Sequence, residues 1–157
     1  MRLQENLKRE CVSDLPLREA IVIQTDTTVS AAIELMRERQ LGCAVVTDAD
    51  GKPLGTFTER TIIDLVLQQP DNLNALAVGD YMDEEWFSVK QTDSICTVLE
   101  TIQRRAARFV CVLDEDGKVV ALTGQKGLSE YVAEHFPRQV VAQSVGGKPG
   151  METREGA

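Results

Sequence analysis

The chain repeats itself. Sliding the sequence by 66 positions, the separation of Gly51 from Gly117, brings its two halves into register without a gap. Val12 and Asp14 fall on Val78 and Asp80, and Val29, Ile33 and Met36 fall on Ile95, Leu99 and Ile102. Asp48-Ala49-Asp50-Gly51-Lys52 falls on Asp114-Glu115-Asp116-Gly117-Lys118. A duplication of this kind requires one architecture to serve both halves. At 157 residues the chain has room for one compact domain or two small repeats sharing a core.

Within each half the apolar pattern switches between two periods. Ile21-Val22-Ile23 reads as a short strand. Thr27 or Thr28 offers an N-cap to a helix with Val29, Ala32, Ile33 and Met36 on one face, and Gly42 is expected to stop it. Cys43-Ala44-Val45-Val46-Thr47 is a near-continuous apolar run, the pattern of a strand covered on both faces. Asp48 to Gly51 reads as a hairpin turn and Pro53 to Phe57 as its returning arm. A helix bearing Ile62, Ile63, Leu65 and Val66 follows. The second half repeats this order. Phe87 to Val89 is its short strand, and Asp93 or Ser94 caps a helix carrying Ile95, Val98, Leu99 and Ile102. Phe109 to Leu113, a turn over Asp114 to Gly117, Val119 to Thr123, and a helix with Leu128, Tyr131 and Val132 complete it. Each unit is β-α-β-β-α, which places the chain in the α/β (α+β) class. The expected divisions are a lead-in of uncertain order (1–11), repeat one (12–69), a connection (70–77), repeat two (78–136) and a disordered tail (137–157).

Seventeen Lys and Arg against 25 Asp and Glu give a net charge of −8, which argues against a nucleic-acid duty. No apolar run approaches the roughly 20 residues of a membrane span, and Met1 to Asn6 lacks a signal-peptide core. A cytoplasmic setting without membrane attachment is expected. Cys11, Cys43, Cys96 and Cys111 show no C-x-x-C spacing, and His135 is the single histidine, so no metal site is expected. The Asp-x-Asp-Gly turns differ from a calcium loop because glycine stands fourth, not sixth, and the distal glutamate is absent. Nothing reads as Ser-His-Asp, a P-loop or a dinucleotide fingerprint, so a non-catalytic role is expected.

The stretch Gly55-Thr56-Phe57-Thr58-Glu59-Arg60-Thr61 leads from a strand into the first turn of a helix. Thr58 is the expected N-cap, Glu59 suits the positive end of the helix dipole, and Arg60 adds a guanidinium. Free N–H groups, a hydroxyl and a cation in one place make an anion-binding corner; alone, the stretch also reads as an ordinary junction. Arg104, Arg105 and Arg108 precede the buried strand of the second half, either as a solvated helix end or as a phosphate contact.

The ordered set twice over resembles the cystathionine β-synthase (CBS) domain family. Carrying the resemblance are Val12-Ser13-Asp14, Val78-Gly79-Asp80-Tyr81-Met82, the helices ending at Met36 and Ile102, the two Asp-x-Asp-Gly-Lys turns and the Gly55-to-Thr61 corner. It implies two repeats packed sheet to sheet about a pseudo-twofold, dimerising through helices. It also implies an adenosine ligand, such as AMP, ADP, ATP or S-adenosylmethionine, bound between the units to alter an unidentified effector protein. No cofactor for chemistry is implied. By the resemblance, the ligand positions are Thr58, Arg60 and Thr61 at the first corner, Cys43 and Ala44 on the buried strand, and Arg108 and Lys126 from the second unit. In the family an aspartate at the Thr61 position accepts both ribose hydroxyls. Here Thr61 cannot, and the equivalents of Thr58 and Thr61 in unit two are Gly124 and Gly127. The first corner is therefore the expected ligand site, and a homodimerisation module with degenerate sites is the alternative.

Overall fold

The computed structural model describes residues 2–137; the tail expected to be disordered falls outside them from residue 138 onward. Two three-stranded sheets form, ordered β1-β2-β3 and β4-β5-β6. In the first, β2 (Cys43–Thr47) lies parallel to β1 (Ile21–Ile23) and antiparallel to β3 (Pro53–Thr58). The second repeats this with β4 (Ser88–Lys90), β5 (Phe109–Leu113) and β6 (Val119–Gly124). Helix α2 (Val29–Arg39) connects β1 to β2, and α3 (Glu59–Gln68) follows β3. Their counterparts are α4 (Ile95–Arg105) and α5 (Gln125–His135). The β-α-β-β-α order holds in both units.

Local chemistry accounts for the turns. The Asp48 carboxylate accepts the N–H groups of Asp50 and Lys52, both at 2.9 Å, while Gly51 takes φ 83°. Asp114 and Gly117 do the same in unit two. The helix ends partly depart from expectation. Thr28 caps α2 by accepting the Ala31 N–H at 3.2 Å, but Ser94 heads α4 with its hydroxyl turned to Thr97. Gly42 is not the stop: Gln40 ends α2 and Ala106 ends α4, both in the left-handed region at φ 51°.

The pleat sends Cys43 and Val45 to one face of β2 and Ala44 and Val46 to the other. Ala44 and Val46 pack with the helices of unit one. Cys43 and Val45 meet Cys111 and Leu122 of the second sheet in a layer between the sheets. Burial on both faces is why β2 is continuously apolar.

The segments before the units are exchanged. Val12, ahead of repeat one, donates to the Asp93 carbonyl at 2.8 Å and is buried in the unit-two core. Val78, ahead of repeat two, donates to the Thr27 carbonyl at 2.9 Å and is buried in the unit-one core. The lead-in is also ordered: α1 (Arg2–Arg9) packs on α4 and buries Leu7 in the unit-two core. Behind it the fully buried Tyr131 donates its hydroxyl to the Glu10 carboxylate. The charged residues of 2–9 suppress the hydrophobic signal, which rests on Leu3 and Leu7 alone. Leu7→Ala should cost about 2 kcal/mol through the cavity it leaves. An unchanged urea-unfolding midpoint would show that α1 contributes nothing to the core.

Candidate functional site

The two strand-to-helix corners share a backbone path and differ in what faces them. At the first, Thr58 precedes α3 but its hydroxyl makes no capping bond, contrary to expectation. The Glu59 N–H donates instead to the Gly42 carbonyl at 3.1 Å. At the second, Gly124 precedes α5 with no side chain to cap it. Packing requires this: a Cβ on Gly124 would stand 2.1 Å from the Arg108 carbonyl oxygen. On Gly127 it would meet the Thr123 Oγ1 at 2.8 Å.

A cleft of about 290 Å³ opens at this second corner. That volume lies at the small end of ligand pockets. Leu122, Thr123, Gly124 and Gly127 form one side, and Leu41, Gly42 and Glu59 of unit one form the other. Three cations line it: Arg18, Arg108 and Lys126. Arg18 is held by a two-way backbone bridge to Leu122 (3.0 and 2.8 Å), and its guanidinium lies 3.2 Å from Glu130. The Arg108 guanidinium sits 5.4 Å from the Phe109 ring centre, a cation–π contact that leaves its N–H groups free to bond elsewhere. Thr123 Oγ1 is buried and finds no hydrogen-bond partner among the described residues. A buried hydroxyl without a partner is costly.

The bridge equivalent to Arg18–Leu122 at the first corner is Asp83–Thr56, at 3.0 and 2.7 Å. Asp83 thus occupies the bridge position that Arg18 has at the second corner, and its carboxylate accepts the Glu85 N–H at 3.0 Å. The sulfur of Met82 also lies 2.8 Å from where a Gly55 Cβ would be, filling the space over that strand.

Of the residues expected from the sequence, Arg108 and Lys126 come together in the cleft. Thr58, Arg60 and Thr61 lie at the other corner and are not among its lining residues. Cys43 and Ala44 have no exposed surface: Cys43 sits between the sheets and Ala44 beneath the helices. Neither side chain can touch a ligand in this conformation. Burial pushes the Cys111 thiol up to about 12 and raises Cys43 further, so both stay protonated and unreactive. Sequence reasoning missed Arg18, Thr123 and Glu59 as cleft residues. Arg18 was detectable as a sign reversal between Leu17-Arg18-Glu19 and Asp83-Glu84-Glu85 in the duplication. No cluster of metal-ligating side chains is found among the described residues, and none of their helices is long and apolar enough to cross a membrane.

Comparison with known proteins agrees with this fold. The CBS domain family model matches residues 12–68 and 78–133, and the chain belongs to that family. An uncharacterised protein of Methanopyrus kandleri is 24% identical over 98 residues, which is 62% of this chain and 50% of that one. The chain thus matches about half the length of that relative. The glycine betaine/carnitine/choline transport ATP-binding protein OpuCA of Bacillus subtilis is 23% identical over 78% of this chain and 31% of its own. A CBS domain protein of Pyrobaculum aerophilum, solved in complex with AMP, superposes with a TM-score of 0.70 at 22% identity, covering 87% of this chain and 99% of that one. A CBS domain pair solved with 5′-methylthioadenosine and S-adenosyl-L-methionine gives 0.67 at 17% identity, covering 78% and 98%. At these identities the shared property is the fold.

Thr123→Val should raise the stability of the ligand-free protein by about 1 kcal/mol, because it removes an unpaired buried hydroxyl at nearly constant shape. A loss of stability on urea unfolding would mean that the hydroxyl is already satisfied.

Proposed function

We propose that this chain is a non-catalytic regulatory module that binds an adenine nucleotide or adenosine derivative at the second corner and passes the change to a partner protein. The gathering of Arg18, Arg108 and Lys126 around the uncapped start of α5, in a cleft lined by both units, carries the reading. Helix N–H groups and their dipole favour an anion there. The apolar surfaces of Leu41 and Phe109 can cover a purine face. AMP and S-adenosylmethionine in solved members of the fold support an adenosine ligand. The transport ATP-binding protein among the relatives supports an effector belonging to a larger machine. With AMP, ADP, ATP and S-adenosylmethionine screened by thermal shift, at least one should raise the melting temperature by mass action. Lys126→Ala should reduce that shift, and Arg60→Ala should not. The reverse pattern would return the site to the first corner.

A second reading rests on α3. Ile63, Val66 and Leu67 are 59%, 44% and 78% exposed and form one stripe at helical spacing. An apolar stripe of this kind marks an interface, and a self-complementary twofold contact between two copies would cover it. Sedimentation should show a dimer that Leu67→Asp dissociates. A monomer at all concentrations would exclude a homodimerisation role without touching the ligand proposal.

A further inference from the structure

The charge pattern of the cleft goes beyond a generic nucleotide site. The chain as a whole carries −8, yet this cleft gathers three cations against one carboxylate, Glu59. Arg18 already shares its charge with Glu130, which leaves Arg108 and Lys126 without an ion-pair partner among the described residues. Both flank the start of α5, an eleven-residue helix whose first N–H groups have no side-chain cap. Thr123, only 5% exposed and unpartnered, lies against Gly127 on the same wall. Neither corner glycine offers a carboxylate or hydroxyl to a sugar. At the first corner the equivalent backbone bridge is made by Asp83, and Met82 stands over the strand. Recognition at the second corner therefore rests on negative charge far more than on a ribose.

Building on the adenosine-ligand reading, we propose that the cleft selects for phosphate number: it is a site for a nucleoside di- or triphosphate, in preference to a monophosphate or a cationic sulfonium nucleoside. Each added phosphate oxygen finds guanidinium or ammonium donors in a partly enclosed site, where charge interactions are stronger than in open water. A sulfonium places positive charge among the three cations and is disfavoured. The field of the surrounding acidic surface does not alter the order, because charges beyond about 8 Å are screened at physiological salt.

The test is isothermal titration of the full chain with AMP, ADP, ATP and S-adenosylmethionine at one ionic strength, then at threefold higher salt. ADP or ATP should bind at least tenfold tighter than AMP, with S-adenosylmethionine weakest, and the advantage should shrink in salt. Arg108→Ala and Lys126→Ala should each flatten the series, whereas Lys52→Ala, in the distant first hairpin turn, should leave it intact. AMP binding as tightly as ATP, or S-adenosylmethionine binding tightest, overturns the phosphate-number proposal and leaves the adenosine-ligand reading standing. Failure of all four to bind overturns both.

Discussion

Two valines hold the architecture together. Val12 and Val78 are each fully buried, and each completes the core of the unit that it does not precede. Their backbones are fixed by equivalent bonds, to Asp93 in one case and Thr27 in the other. Neither unit therefore has a finished core of its own, and the layer of Cys43, Val45, Cys111 and Leu122 between the sheets follows from that mutual completion. With the sheets pressed together, the strand-to-helix corners are brought to the edges of the shared layer, where a guest can touch both halves.

The duplication explains why there are two corners, and divergence explains why they are unequal. Close packing against Arg108 leaves room for nothing larger than glycine at position 124, so a side-chain cap is lost there. The same loss leaves the N–H groups of α5 open toward Arg108 and Lys126. At the other corner the hydroxyl of Thr58 survives, but Met82 and Asp83 stand over the strand that leads to it. One corner carries polar side chains and the other carries space and positive charge.

Much of this fold was legible because period, turn chemistry and duplication agreed. The Asp-x-Asp-Gly turns place an aspartate to accept two N–H groups and a glycine to take positive φ, so the hairpins could be read from five residues each. Helix ends were less legible: the left-handed caps are Gln40 and Ala106, residue types that give no such signal. The helix of residues 2–9 was hidden because it buries little more than Leu7 and displays charge elsewhere. The open cleft at the second corner was hidden for a similar reason. Thr58 and Arg60 look like ligand residues in isolation, whereas the open cleft depends on Arg18, brought to Leu122 by a bridge spanning more than a hundred residues. Local chemistry marks what a corner could hold; only packing decides which corner is open.

The exchange of Val12 and Val78 bears on how such a chain could arise. A single ancestral unit would have lacked the valine that seals its own core, and it could have closed that core only by borrowing the segment from an identical neighbour. Two-chain assembly would then precede gene fusion, with the connection over residues 70–77 later tying together partners that already depended on one another. The fused chain inherits that dependence as cooperativity: loosening either leading segment frees the core of the opposite half.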